Sequence, residues 1–152
     1  MKKLNKKGFT LIELLAIIVI LAIIAVITVP IILNIIENAR KGAAKNSVIG
    51  YGKAVELAYT QYQYEKELPS GNGNKYETTT VGTDGKAIKL TIQSAGTSVG
   101  TLNLVVEFDG DKVVCDNDYA NNTINDGKVH LKNCVVNDNQ AYKFDYESGQ
   151  AK

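Results

Sequence analysis

The 152-residue chain carries 17 lysines and arginines against 16 aspartates and glutamates, a formal charge of +1, with 2 cysteines and a single histidine. That balance implies no general polyanion-binding surface, and the cysteine spacing with a lone histidine fits no zinc knuckle. The length suffices for one small domain plus a stalk, and no internal repeat divides it.

The amino end comes first in the argument. Residues 1–8 hold Lys2, Lys3, Lys6 and Lys7 and no acid. From Leu14 to Leu33 no residue is charged, and Thr28 and Pro30 are the interruptions. Such a run makes about 30 Å of helix, enough to cross a bilayer, and the lysines favour a cytoplasmic amino end. A secretory signal would have a shorter apolar core and a small-x-small cleavage site. Here the run continues through Ile31, Ile32, Ile35 and Ile36. A plain membrane anchor fits the length but leaves Glu13 unexplained. An acid in an apolar segment is costly, and such residues are usually paired and functional. No basic residue within the helix meets it. If the chain is cut after Gly8, the new amine of Phe9 is the complementary charge. A neighbouring copy, offset along the helix axis, would bring amine and acid together in a low-dielectric bundle. Loss of the leader lysines would also leave 13 cationic side chains against 16 acidic ones, a balance of −3.

Gly8-Phe9-Thr10-Leu11-Ile12-Glu13, followed by the apolar run with Pro30 inside it, resembles the amino terminus of type IV pilins and pseudopilins. The resemblance covers roughly the first third of the chain, and no family signature stands beyond about residue 70. It implies cleavage between Gly8 and Phe9 by a prepilin peptidase, methylation of the Phe9 amine, and pairing of Glu13 with that amine on an adjacent subunit. It further implies a helical homopolymer, assembled by a cytoplasmic ATPase and a membrane platform protein. The precursor would sit in the bacterial cytoplasmic membrane and the product in an extracellular filament.

Helical character continues past the apolar run. Residues 37–68 contain no proline, and Val48, Tyr51, Val55, Tyr59 and Tyr62 recur at spacings of three or four. That periodicity predicts one apolar helix face, with Lys45, Lys53, Glu56 and Gln63 mostly off it. Tyr51, Tyr59 and Tyr62 are expected to pack between helix and sheet, while Tyr64 is a further tyrosine on the same helix. Gly42, Gly50 and Gly52 weaken the helix by about 1 kcal/mol each relative to alanine but permit close approach of neighbours. Pro30 should kink or loosen the helix, and Pro69-Ser70-Gly71 should stop it. A helix over 9–68 would measure about 90 Å, far longer than a domain built from the remaining residues can cover.

After Pro69 the apolar period becomes two. Lys86–Ile92 reads as a strand; Leu102, Leu104, Val106 and Phe108 form one face of a second. Asp109-Gly110-Asp111 signals a turn, from which Lys112–Cys115 returns as a third strand. Residues 72–83, 94–98 and 116–127 read as loops. Lys128–Val136 and Ala141–Tyr146 read as a last hairpin through Asn137-Asp138-Asn139. The expected fold is therefore α+β: a long amino-terminal helix packed on an antiparallel sheet of four or five strands. The segments are a leader (1–8), a membrane-spanning or filament-core helix (9–36), an amphipathic half-helix (37–68) and a globular β domain (69–152).

Cys115 and Cys134 fall in the part expected outside the cell, where an even count favours one disulfide over two buried thiols. An enzyme finds little support. His130 sits in a strand as a structural residue, and no nucleophile elbow, phosphate loop or metalloprotease pattern appears. No cofactor is expected. A solvated loop is favoured over calcium binding between Asp116 and Asp126, a minor alternative, because the segment fails the EF-hand spacing, with Ala120 at a ligand position and no closing glutamate. The sequence supports a filament subunit and leaves open major pilin, minor pilin, or pseudopilin of a secretion or DNA-uptake system. It does not decide between adhesion, motility, DNA uptake and export, nor whether nucleic acid is a partner. A monomeric membrane-anchored adhesin is the reading of a different class.

Overall fold

The computed structural model describes residues 8–67, 84–95, 97–116 and 120–152. Among these, one helix, α1 (Leu11–Glu67), precedes seven strands. They are β1 (Ala87–Ser94), β2 (Thr97–Val105), β3 (Val113–Val114), β4 (Thr123–Asn125), β5 (Lys128–Val136), β6 (Phe144–Glu147) and β7 (Gln150–Ala151). The leader before Gly8, the helix stop expected at 69–71 and the loop expected over 72–83 lie outside the described residues. The chain divides into two units, Met1–Arg40 and Lys41–Lys152.

In the first unit α1 is unbroken through Pro30, although the proline cannot donate to the carbonyl of Val26. Thr28 Oγ1 donates to the Ile24 carbonyl at 2.9 Å instead of facing the apolar surroundings unpaired. Every described residue of this unit is exposed, so the described residues leave its apolar side chains uncovered.

The second unit has a core. The helix contributes Val48, Tyr51, Val55 and Ala58, all buried, with Tyr59 and Tyr62 packed at the margin. Tyr51 meets Phe108 edge-on at 5.9 Å between ring centroids. Two glycines of this stretch serve close approach: a Cβ at Gly50 would lie 3.1 Å from the Phe108 ring, and one at Gly52 would lie 2.5 Å from Cγ of Tyr146. A Cβ at Gly42 would meet none of the described residues within 4 Å. Glu56, expected mostly off the packed face, accepts a hydrogen bond from the Tyr146 hydroxyl at 2.9 Å.

The sheet runs β2-β1-β4-β5-β6-β7, with β3 paired to β5. Ile88, Leu90, Leu102, Leu104, Ile124, Val129, Leu131, Phe144 and Tyr146 alternate onto its buried face. The fold class is the expected α+β, with two corrections: the strands number seven, and β1 pairs with β4 in parallel, so the sheet is mixed. β4 lies inside the segment read as polar loop, and only Ile124 of its three residues is apolar. β3 does not fold back on β2. Val113 pairs with Val136, because Val106 and Phe108 leave the strand after Val105 and carry the chain over the core. The expected loop over 94–98 shrinks to a tight connection, since Ser94 already pairs with Thr97. β7 returns on β6 through Ser148 and Gly149, both at positive φ.

Candidate functional site at the amino-terminal junction

Gly8 and Phe9 precede the first turn of α1, and both are exposed; Phe9 retains 82% of its accessible surface. A Cβ at Gly8 would meet nothing within 4 Å, so the described chain itself does not crowd the bond that follows. Thr10 is the N-cap of the helix. Its hydroxyl oxygen accepts from the Glu13 N–H at 3.3 Å, and the Glu13 carboxylate accepts from the Thr10 N–H at 2.8 Å. The Thr10 hydroxyl also donates to Glu13 Oε2 at 2.7 Å. These reciprocal bonds form a capping box, the T-x-x-E signature at a helix start. The carboxylate also faces the positive end of the helix dipole.

Glu13 therefore has a local partner that charge reasoning alone did not supply. Both bonds engage Oε2, and Oε1 takes none from the described residues. The carboxylate can keep its cap and still accept another donor. Beyond it the helix is long and apolar enough to cross a membrane. An exposed junction, a capped acid and an uncovered apolar helix are thus adjacent in one unit. Pro30 lies inside that apolar stretch, 17 residues beyond Glu13.

The cysteines are elsewhere. Cys115 and Cys134 form a disulfide with an S–S distance of 2.01 Å, buried in the second unit. The loop it closes contains β4. Around it Asp116 accepts from Asn121 at 2.9 Å and from Asn133 at 3.2 Å. Residues 117–119 of the loop considered for calcium lie outside the described residues. Among the described residues no group of three acidic, histidine or cysteine side chains is placed to hold a metal ion. His130, on β5, has Nδ1 3.9 Å from Glu147 Oε1.

Residues 3–29 match the family model of the prokaryotic N-terminal methylation motif, the prepilin-type signal of type IV pilins and pseudopilins. No curated protein and no solved structure gives a significant match to the chain.

Proposed function

We propose that this chain is the structural subunit of a type IV pilus-like extracellular filament, assembled after cleavage between Gly8 and Phe9. One observation carries the reading: the methylation-motif match coincides with the exposed Gly8–Phe9 junction and the capped Glu13. In this reading the leader lysines hold the precursor with its amino end in the cytoplasm. A membrane prepilin peptidase opens the junction and methylates the Phe9 amine. That amine, on a neighbouring subunit, then meets Glu13, whose Oε1 is uncommitted among the described residues.

The driving force for assembly is the apolar helix surface. In the membrane it faces lipid. In a filament it faces sister helices, and a platform protein and an ATPase supply the transfer work. The Glu13–amine pair sets the axial register, since only one stagger satisfies both charges once water is excluded. Pro30 leaves the Val26 carbonyl without its usual donor, which is tolerable where packed neighbours satisfy it. The sheet domains coat the outside.

Pseudopilins carry the same signal, so abundance separates the two: a major pilin dominates sheared surface filaments, and a pseudopilin does not. The first test is the mass and amino-terminal sequence of the chain from its native membrane and surface. A product beginning at methylated Phe9 supports the reading. An intact amino terminus at Met1 in all surface material would overturn it in favour of an uncleaved anchor.

A further inference from the structure

We propose that the outer edge of β2 pairs antiparallel with β2 of a second copy of this chain, a contact that joins filaments side by side. β2 is nine residues long, ends the sheet, and pairs only with β1 among the described residues. The opposite end of the sheet is β7, with two residues. The Val106 N–H donates to the Lys86 carbonyl at 2.7 Å, and Val105 faces Ala87. Bonded and non-bonded pairs alternate along an antiparallel ladder. Leu102 and Leu104 therefore bond to β1, whereas Thr101, Asn103 and Val105 aim their N–H and C=O outward. None of these outward groups has a backbone partner among the described residues. Ser98 faces Gln93 and Gly100 faces Ile92, so Val99 between them is a bulge. The straight part of the edge is residues 100–105, about 20 Å of strand.

The sequence of the edge selects the occupant. Edge strands are usually guarded by lysine, proline or an inward charge. Residues 94–106 contain no charged residue and no proline. The bulge at Val99 stops short of the straight part. Thr101-Leu102-Asn103-Leu104-Val105-Val106 is uncharged, proline-free and mostly aliphatic, the composition of segments that pair with identical copies of themselves. About a two-fold axis at Asn103 the strand is its own complement. Asn103 of one copy faces Asn103 of the other, Thr101 faces Val105, and each pair exchanges both backbone bonds. No like charges meet across the axis. A charged peptide would find no counter-charge on this strand. Where the partner lies rests on the filament reading. Copies within one filament are related by a screw axis, which preserves the strand's component along that axis, and antiparallel pairing reverses it. A strand lying across the axis is reversed only in a copy half a turn away, beyond the helix core. The two-fold therefore lies between filaments.

The test follows self-association of the full chain in detergent micelles by sedimentation velocity over a concentration series. The wild-type chain is expected to dimerise. Asn103→Lys and Asn103→Glu each set like charges opposite one another at the two-fold and should weaken the dimer by about tenfold or more. An equal mixture of the two variants should restore it. Thr101→Pro deletes an outward N–H and spares the ladder to β1, so it should also weaken the dimer; it serves where a charged variant does not melt like the wild type. A wild type that stays monomeric, a dimer unmoved by these substitutions, or a mixture no tighter than its components would each overturn the proposal. Sheared filaments give the second readout. Wild-type filaments should lie in bundles under electron microscopy, and Asn103→Lys filaments singly at equal subunit yield. Bundles of Asn103→Lys filaments would refute the lateral contact. A chain that forms no filament refutes the functional reading instead, and the detergent result alone decides the pairing.

Discussion

Gly52→Ala is expected to destabilise the second unit, although alanine is the better helix former. The added Cβ would lie 2.5 Å from both Cγ and Cδ2 of Tyr146, against the 3.5–4.0 Å of an ordinary carbon contact. Tyr146 is buried, with 1% of its surface accessible, and its hydroxyl is tied to Glu56 one turn further along the helix. The ring therefore cannot swing aside without breaking that bond. Overpacking of this kind costs about 1–3 kcal/mol, and a displaced hydrogen bond about 1 kcal/mol more. The gain in helix propensity returns only about 1 kcal/mol. The expected net is a loss of about 1–3 kcal/mol, read as a lower midpoint when the full chain in detergent is melted under circular dichroism. Gly42→Ala is the matched comparison. Nothing lies near its Cβ, so only the propensity gain applies and the midpoint should hold or rise. Adding Tyr146→Leu to Gly52→Ala should recover part of the loss, since the smaller side chain vacates the ring position. If Gly52→Ala were as stable as Gly42→Ala, the proposed close approach of helix and sheet at Tyr146 would be wrong.

Glu13→Ala should block efficient filament assembly while leaving the second unit folded, checked by sheared-filament yield beside the melting curve; normal yield would refute the pairing mechanism. Gly8→Ser should impair processing, seen as a precursor of unchanged size on a gel. Cys115→Ser or Cys134→Ser should cost about 2–4 kcal/mol, with amide protection lost first around Ile124 under hydrogen exchange; uniform loss across the sheet would show that the bridge does not specifically hold β4. Stability should also fall in acid. Burial pushes the Asp145 carboxyl up, but Lys132 and the Asn133 N–H outweigh it and leave it below its ordinary value. Ser47 and Asn137 lower Asp111, and Lys152 lowers Glu147. A carboxylate depressed in the folded state contributes stability above its unfolded pKa of about 4 and loses it as pH falls through the lower folded value. The melting midpoint should therefore drop below about pH 4, and Asp145→Asn should flatten the drop; an acid-independent midpoint would refute this linkage.

The helix was legible because its signals are long and redundant. Twenty residues without charge, then a three-and-four spacing of Val48, Tyr51 and Val55, leave little choice of structure. β5 was equally clear: Lys128–Lys132 alternates, Cys134–Val136 adds an apolar run, and the strand follows the Asp126-Gly127 turn. β4 and β7 were not, because strands of three and two residues carry too few side chains to show a period, and neither has the apolar pair after a turn that marks β3. β3 was legible as a strand but not in its partner, since pairing of Val113 with Val136 depends on where the core sends the chain. At the junction, Glu13 stood out as a charge, whereas its bond to Thr10 is written in the spacing T-x-x-E and needs only local geometry.

The segment that looked least structured turns out to join the sheet. β1 and β2 form one hairpin, and β5, β6 and β7 form a meander; β4 hydrogen-bonds to both sets. A three-residue strand cannot hold such a position by its own pairing. Its environment does so in four ways. Ile124 is buried in the core at 1% exposure. Asp126 and Gly127, at φ of 48° and 79°, turn the chain directly into β5. The Asn122 carbonyl accepts from the Thr91 N–H at 2.8 Å, which fixes the approach to β1. Finally, the Asn122 side chain, 1% exposed, donates to the Asp116 carbonyl and accepts from the Lys132 N–H, linking the flanks of the two disulfide cysteines. Asn122 is therefore not part of a solvated loop. Its bonds replace the backbone partners that so short a strand cannot supply, and the Cys115–Cys134 bridge limits how far the segment can wander when those bonds open.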